Sequence, residues 1–103
     1  MNTSRYGRVV IKVGSNVLSH PDSTLDTSII GTLSQLVFQL RKMHVDVVLV
    51  TSGAVASGKS ELSLPIEMPM VAKRQIWASV GQVRLMQAYH QHFKQHRLSC
   101  GQV

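Results

Sequence analysis

Two hydrophobic rhythms alternate along the first half of the chain. Residues 8 to 13 are β-branched apart from Arg8 and Lys12, and residues 45 to 51 are again rich in valine and leucine. Both runs predict strands, and the first suits burial on both faces. Between them Ile29, Ile30, Leu33, Leu36, Val37 and Leu40 recur at helical spacing, with Gln35, Gln39, Arg41 and Lys42 in the gaps. That spacing predicts a helix over about 27 to 43. Asp26 or Ser28 can cap its start, while Arg41, Lys42 and His44 complement the negative end of its dipole. Strand, helix and strand in this order make a βαβ unit with neighbouring parallel strands and a right-handed crossover.

Further along, residues 62 to 69 contain Pro65 and Pro69 and read as a connector. Pro69 suits the first turn of a helix running from about 69 to 96, with Gly81 as a weak point or kink. Val71, Ile76, Val80, Val83, Met86, Tyr89 and Phe93 are its expected core positions. Leu98 to Val103 read as the opening of a third strand.

The chemistry gathers where the two strands end. An apolar strand has little reason to carry Lys12 unless the charge is used, and Gly14-Ser15-Asn16 follow it as turn residues. A cation at the carboxyl end of a strand, with a glycine that lets backbone N–H groups approach, suits an anion. A lysine on an edge strand with its ammonium in water is the plainer reading. The second strand runs into Thr51-Ser52-Gly53-Ala54, another small-residue turn opening a helix. Open α/β sheets bind ligands at the carboxyl ends of their strands, so the two turns would face one crevice. Ser52 is also a candidate N-cap.

Ile11-Lys12-Val13-Gly14-Ser15-Asn16-Val17-Leu18, the turn from Val50 to Gly58 and the Ala72-Lys73-Arg74-Gln75 to Val80-Gly81-Gln82 segment resemble the amino-acid kinase family. The last segment is most similar to the branch that phosphorylates the side-chain carboxylate of L-glutamate. The resemblance spans nearly the whole chain. It implies an α/β fold: the parallel-sheet βαβ core of a truncated three-layer αβα sandwich, with residues 1 to 103 as the N-terminal part of the glutamate-binding domain and the nucleotide lobe beyond them. It implies phosphoryl transfer from ATP to glutamate, giving γ-glutamyl phosphate, the first step of proline synthesis. Lys12 would be the catalytic cation near the β- and γ-phosphates, Gly14 and Ser15 would donate to the same phosphates, and Ser52, Gly53 and Ala54 would bind glutamate. Mg²⁺ would be held mainly by the nucleotide, with no metal ligand in this chain. The chain alone would then be inactive, and its uncovered third-strand edge and helix face would favour a homo-oligomer.

A rival motif competes for the phosphate. Gly53-Ala54-Val55-Ala56-Ser57-Gly58-Lys59-Ser60 matches the P-loop pattern letter for letter. Against it, Ala-Val-Ala-Ser prefers helix to an open phosphate-wrapping loop, no preceding strand ends in the aspartate a P-loop enzyme needs, and Lys12 would be left unexplained. A non-catalytic αβ module is the remaining alternative.

The net charge of +6 admits nucleic acid as a partner, but the eleven cations are spread along the chain and five aromatic residues offer little stacking. Nucleic acid is therefore not an expected partner, and neither is a membrane. His90, His92 and His96 have no carboxylate nearby and read as a solvated helix face rather than a metal site. His20 reads as loop polarity, and Trp77, Met43, Met68, Met70 and Met86 as packing residues. One cysteine, Cys100, a polar start from Met1 to Gly7 and no long apolar run suit a cytoplasmic protein.

Overall fold

The computed structural model describes residues 7–103; Arg5 and the polar residues before Gly7 lie outside them. The element order is β1 (Arg8–Val13), α1 (Ser15–Leu18), α2 (Thr27–Lys42), β2 (Asp46–Thr51), α3 (Ala54–Glu61) and α4 (Met70–Gln95). β1 and β2 pair in parallel, in register from Arg8 opposite Asp46 to Val13 opposite Thr51. The expected βαβ unit is therefore present, its second strand starting one residue later than the apolar run.

α2 forms where the spacing predicts it. The Asp26 carboxylate accepts the Ser28 N–H at 3.0 Å and so caps the first turn. At the other end Arg41 donates to Asp46 Oδ1 at 2.8 Å and to the Val45 carbonyl at 3.3 Å, joining the helix end to the start of β2. Ile30 and Val37 on α2 meet Leu85, Tyr89 and Phe93 on α4 in one core cluster, which also takes in Val13, Leu18 and Leu25.

Ile11, Val47 and Leu49 pack on that cluster from the sheet. The opposite face is bare: Val10 is 63% exposed, Val48 44% and Val50 49%, and Lys12 shares that exposed side. β1 thus alternates instead of being buried on both faces, because α2 and α4 cover only one side of the sheet. The chain holds two layers of the αβα arrangement.

α4 is continuous from Met70 to Gln95, so Gly81 neither breaks it nor starts a second helix. Its buried residues are Gly81, Leu85, Tyr89 and Phe93, spaced four apart. Val71 and Val83, expected in the core, are 70% and 62% exposed because they fall off this stripe. Met43 and Met70 are likewise exposed rather than packed. His90 is exposed as expected, whereas His92 and His96 turn towards α2: His96 stacks on Phe38 with ring centroids 4.9 Å apart, and His92 lies against Gly31.

The tail forms no third strand. Arg97, in the left-handed region at φ 58°, turns the chain out of α4, Leu98 docks on the core, and residues 99–103 join no sheet. Cys100 is exposed and unpaired. Among the described residues no helix is long and apolar enough to cross a membrane.

Candidate functional site

Because Val13 and Thr51 are register partners, the turns that follow them lie side by side at the carboxyl end of the sheet. Ser52 N–H donates to the Val13 carbonyl at 2.9 Å, carrying the ladder one residue past the last strand pair. The structure therefore brings together two of the predicted groups, Lys12-Gly14-Ser15 and Ser52-Gly53-Ala54.

The first turn is open. Gly14 takes ordinary extended dihedrals and precedes α1, and a side chain added to it would meet nothing within 4 Å. Lys12 and Ser15 are both exposed.

The second turn is built differently. Gly53 sits at φ 111°, a conformation that an L side chain resists, and is the residue that caps α3. No side chain caps this helix. Ser52, the expected cap, is half-buried one position too early. The first N–H groups of α3 consequently have no partner within the helix, and the dipole adds to their pull on an anion. Beneath the turn, Leu18 and Leu85 pack against Gly53.

Thr51 holds the end of β2 to the core. Its hydroxyl donates to the Ser52 carbonyl at 2.9 Å and lies 2.7 Å from the Tyr89 hydroxyl, which must then be the donor of that second bond. Burial pushes the Tyr89 phenol above its ordinary pKa. Leu25 N–H donates to Ser60 Oγ at 2.9 Å, tying the loop after α1 to the far end of α3. Ser57, wholly buried in α3, has a hydroxyl without a partner among the described residues.

The P-loop reading fails on this geometry. Residues 54 to 61 are helical, so no loop runs between Gly53 and Gly58, and Lys59 sits at the opposite end of α3 from the turn. Its Nζ lies over the Trp77 ring, 5.2 Å from the centroid. Trp77 is half-buried and donates to the Leu62 carbonyl at 2.8 Å, in keeping with a packing role.

Among the described residues no three His, Cys, Asp or Glu side chains converge.

Sequence reading marked Gly81 only as a weak point of α4 and passed over Leu85, although both pack against the start of α3 or the turn before it. The one available signal was Gly81 itself, a poor helix former in the middle of a long helical pattern.

The fold is thus a parallel α/β unit whose two strand-ending turns lie side by side at the carboxyl ends of adjacent strands. Residues 7–103 match the model of the amino acid kinase family, and the chain belongs to that family. It is 40% identical over 98 residues to a protein of Bacteroides thetaiotaomicron named glutamate 5-kinase, covering 95% of this chain and 27% of that protein. Proteins of the same name from Chlorobaculum tepidum (40% over 98 residues, 95% and 27%) and Syntrophotalea carbinolica (42% over 100 residues, 97% and 26%) are similar to it as well. The chain thus spans about a quarter of the length of these relatives.

Proposed function

We infer that this chain supplies the glutamate side of a site that phosphorylates the L-glutamate side-chain carboxylate with ATP. The observation that carries the reading is the level ending of β1 and β2, which sets the Lys12–Ser15 and Ser52–Ala54 turns next to each other. The names of the relatives support the same substrate and reaction.

Both reactants are anions, so the site must align them and neutralise the transferring group. Lys12 is the cation for the β- and γ-phosphates, and the backbone of Gly14 with the Ser15 hydroxyl donates to the same oxygens. Ser52, Gly53 and Ala54 hold a glutamate carboxylate at the uncapped start of α3. A side-chain carboxylate oxygen then attacks the γ-phosphorus, the bond to the bridging oxygen breaks, and ADP leaves with that electron pair. The carboxylate is already a nucleophile, so no protein nucleophile or proton acceptor is required. The chain spans about a quarter of its relatives' length, and turnover is expected only when it is joined to the rest of such a protein. The bare Val10, Val48 and Val50 face favours covering by further chain or by a second copy.

The test grafts this chain in place of the matching 98 residues of the Bacteroides thetaiotaomicron relative. Glutamate-dependent ADP formation by the graft, with none from the isolated chain, supports the reading. A folded graft that binds ATP but releases no ADP with glutamate contradicts it.

A further inference from the structure

α3 and α4 meet through glycines. A methyl group on Gly81 would overlap the carbonyl oxygen of Ala54 and the amide nitrogen of Gly58, and one on Gly58 would overlap the Trp77 carbonyl. The backbones therefore touch, and α3 has no slack against α4 at this level. One helical turn on, Leu85 is 1% exposed, and its Cδ1 lies 3.7 Å from where a Gly53 side chain would begin. Gly81 lies under Ala54 and Leu85 under Gly53, so adjacent turns of α4 form a ledge below the two residues whose N–H groups face the anion.

We propose that Gly81 and Leu85 are positioning residues that set the height and tilt of the Gly53–Ala54 turn, and through it the grip on the glutamate carboxylate. The proposal rests on the functional reading above. Neither residue has to touch substrate. Gly81 acts through the Ala54 carbonyl, whose peptide group runs directly into the Val55 N–H, one of the unpartnered donors at the start of α3. Any side chain at 81 lifts that peptide. Leu85 acts from the other side, filling the space under a residue held at φ 111°.

The displacement predicts a selective kinetic defect. In the graft, Gly81→Ala should raise KM for glutamate about 10-fold or more while KM for ATP and kcat stay within about 3-fold, because only the carboxylate donors move. Val37→Ala opens the buried core from α2 and lowers stability without touching α3, so it should leave the glutamate KM within about 3-fold. An unchanged glutamate KM in folded Gly81→Ala, or an equal rise in Val37→Ala at the same loss of thermal midpoint, overturns the proposal.

If Gly81→Ala does not fold, Leu85→Val takes its place. It opens a small hollow instead of creating a clash, and the same selective rise in glutamate KM is expected; no rise overturns the proposal. The mechanical link is read separately in the 103-residue chain by two-dimensional amide NMR, where Leu85→Val should shift the Gly53 and Ala54 resonances. Stationary resonances would overturn the ledge. A graft without glutamate-dependent turnover but with shifted resonances would sink the functional reading and leave the link intact.

Discussion

Ser52 donates its backbone N–H to the Val13 carbonyl at 2.9 Å, so the two turns that end the strands are fixed to each other by the sheet's own hydrogen-bond ladder. Their separation therefore does not depend on any flexible side chain. The second turn depends on glycine at its next position. Gly53 lies at φ 111°, and a methyl group there would come within 3.1 Å of Leu18 Cδ1. Gly53→Ala should lower stability by about 1–3 kcal/mol, combining left-handed backbone cost with crowding. Chemical denaturation of the two forms checks this, and equal midpoints would contradict the strain argument.

The hydroxyl pair behind that turn gives a second expectation. Tyr89 is 3% exposed and donates to Thr51, whose own proton goes to the Ser52 carbonyl. Tyr89→Phe removes one hydrogen bond and leaves Thr51 still bonded to Ser52. A loss of about 1 kcal/mol is expected in urea unfolding, the usual net worth of such a bond.

How much of this arrangement the sequence reveals depends on which atoms make the contact. β1, β2 and α2 are legible because their signal is a period of side chains, and the register partners Val13 and Thr51 follow once the strands are parallel. The α3–α4 crossing is not legible in that way. It is made by hydrogen atoms at Gly58 and Gly81, and a search for apolar side chains passes over them in favour of Val71 and Val83, which face outward. The bare face of the sheet was hidden for a different reason. A run of β-branched residues is the same whether its second face is covered by this chain or by something else, so Val10 and Val48 carry no mark of their exposure. Ser52 looked like a cap because serine is a good one, but the glycine after it takes the cap position by adopting a backbone angle that serine resists.

Acid should loosen α2 at its start. Asp26 lies below its ordinary pKa of 3.8, first through its bond from the Ser28 hydroxyl and also through the Ser28 N–H and the proximity of His20. A carboxylate whose pKa is lowered by folding contributes stability that is complete above its unfolded value and is lost as pH falls through the folded one. The thermal midpoint should therefore decline on acidification below about pH 4, and Asp26→Asn, which keeps an acceptor oxygen without the titration, should flatten part of that decline. Melting curves followed by circular dichroism at stepped pH provide the check; parallel declines in both forms would remove Asp26 as a contributor.

The two lysines that compete for the phosphate can be set against each other directly. Lys12 is exposed beside the open Gly14 turn, at the carboxyl end of β1. Lys59 belongs to the last turn of α3 and rests over Trp77 at 5.2 Å. If Lys12 neutralises charge that grows on the transferring phosphoryl group, Lys12→Ala in the active graft should lower kcat by about 100-fold or more, the scale seen when one preorganised charge-stabilising donor is removed. Lys59→Ala loses only a partly exposed cation–π contact of about 0.5–1 kcal/mol, so its effect should be confined to a small drop in stability. Steady-state rates at saturating ATP and glutamate, taken after circular dichroism has established that both variants are folded, give the comparison. A larger rate defect for Lys59→Ala than for Lys12→Ala would mean that the phosphate is bound at α3 and that the β1 turn has some other purpose.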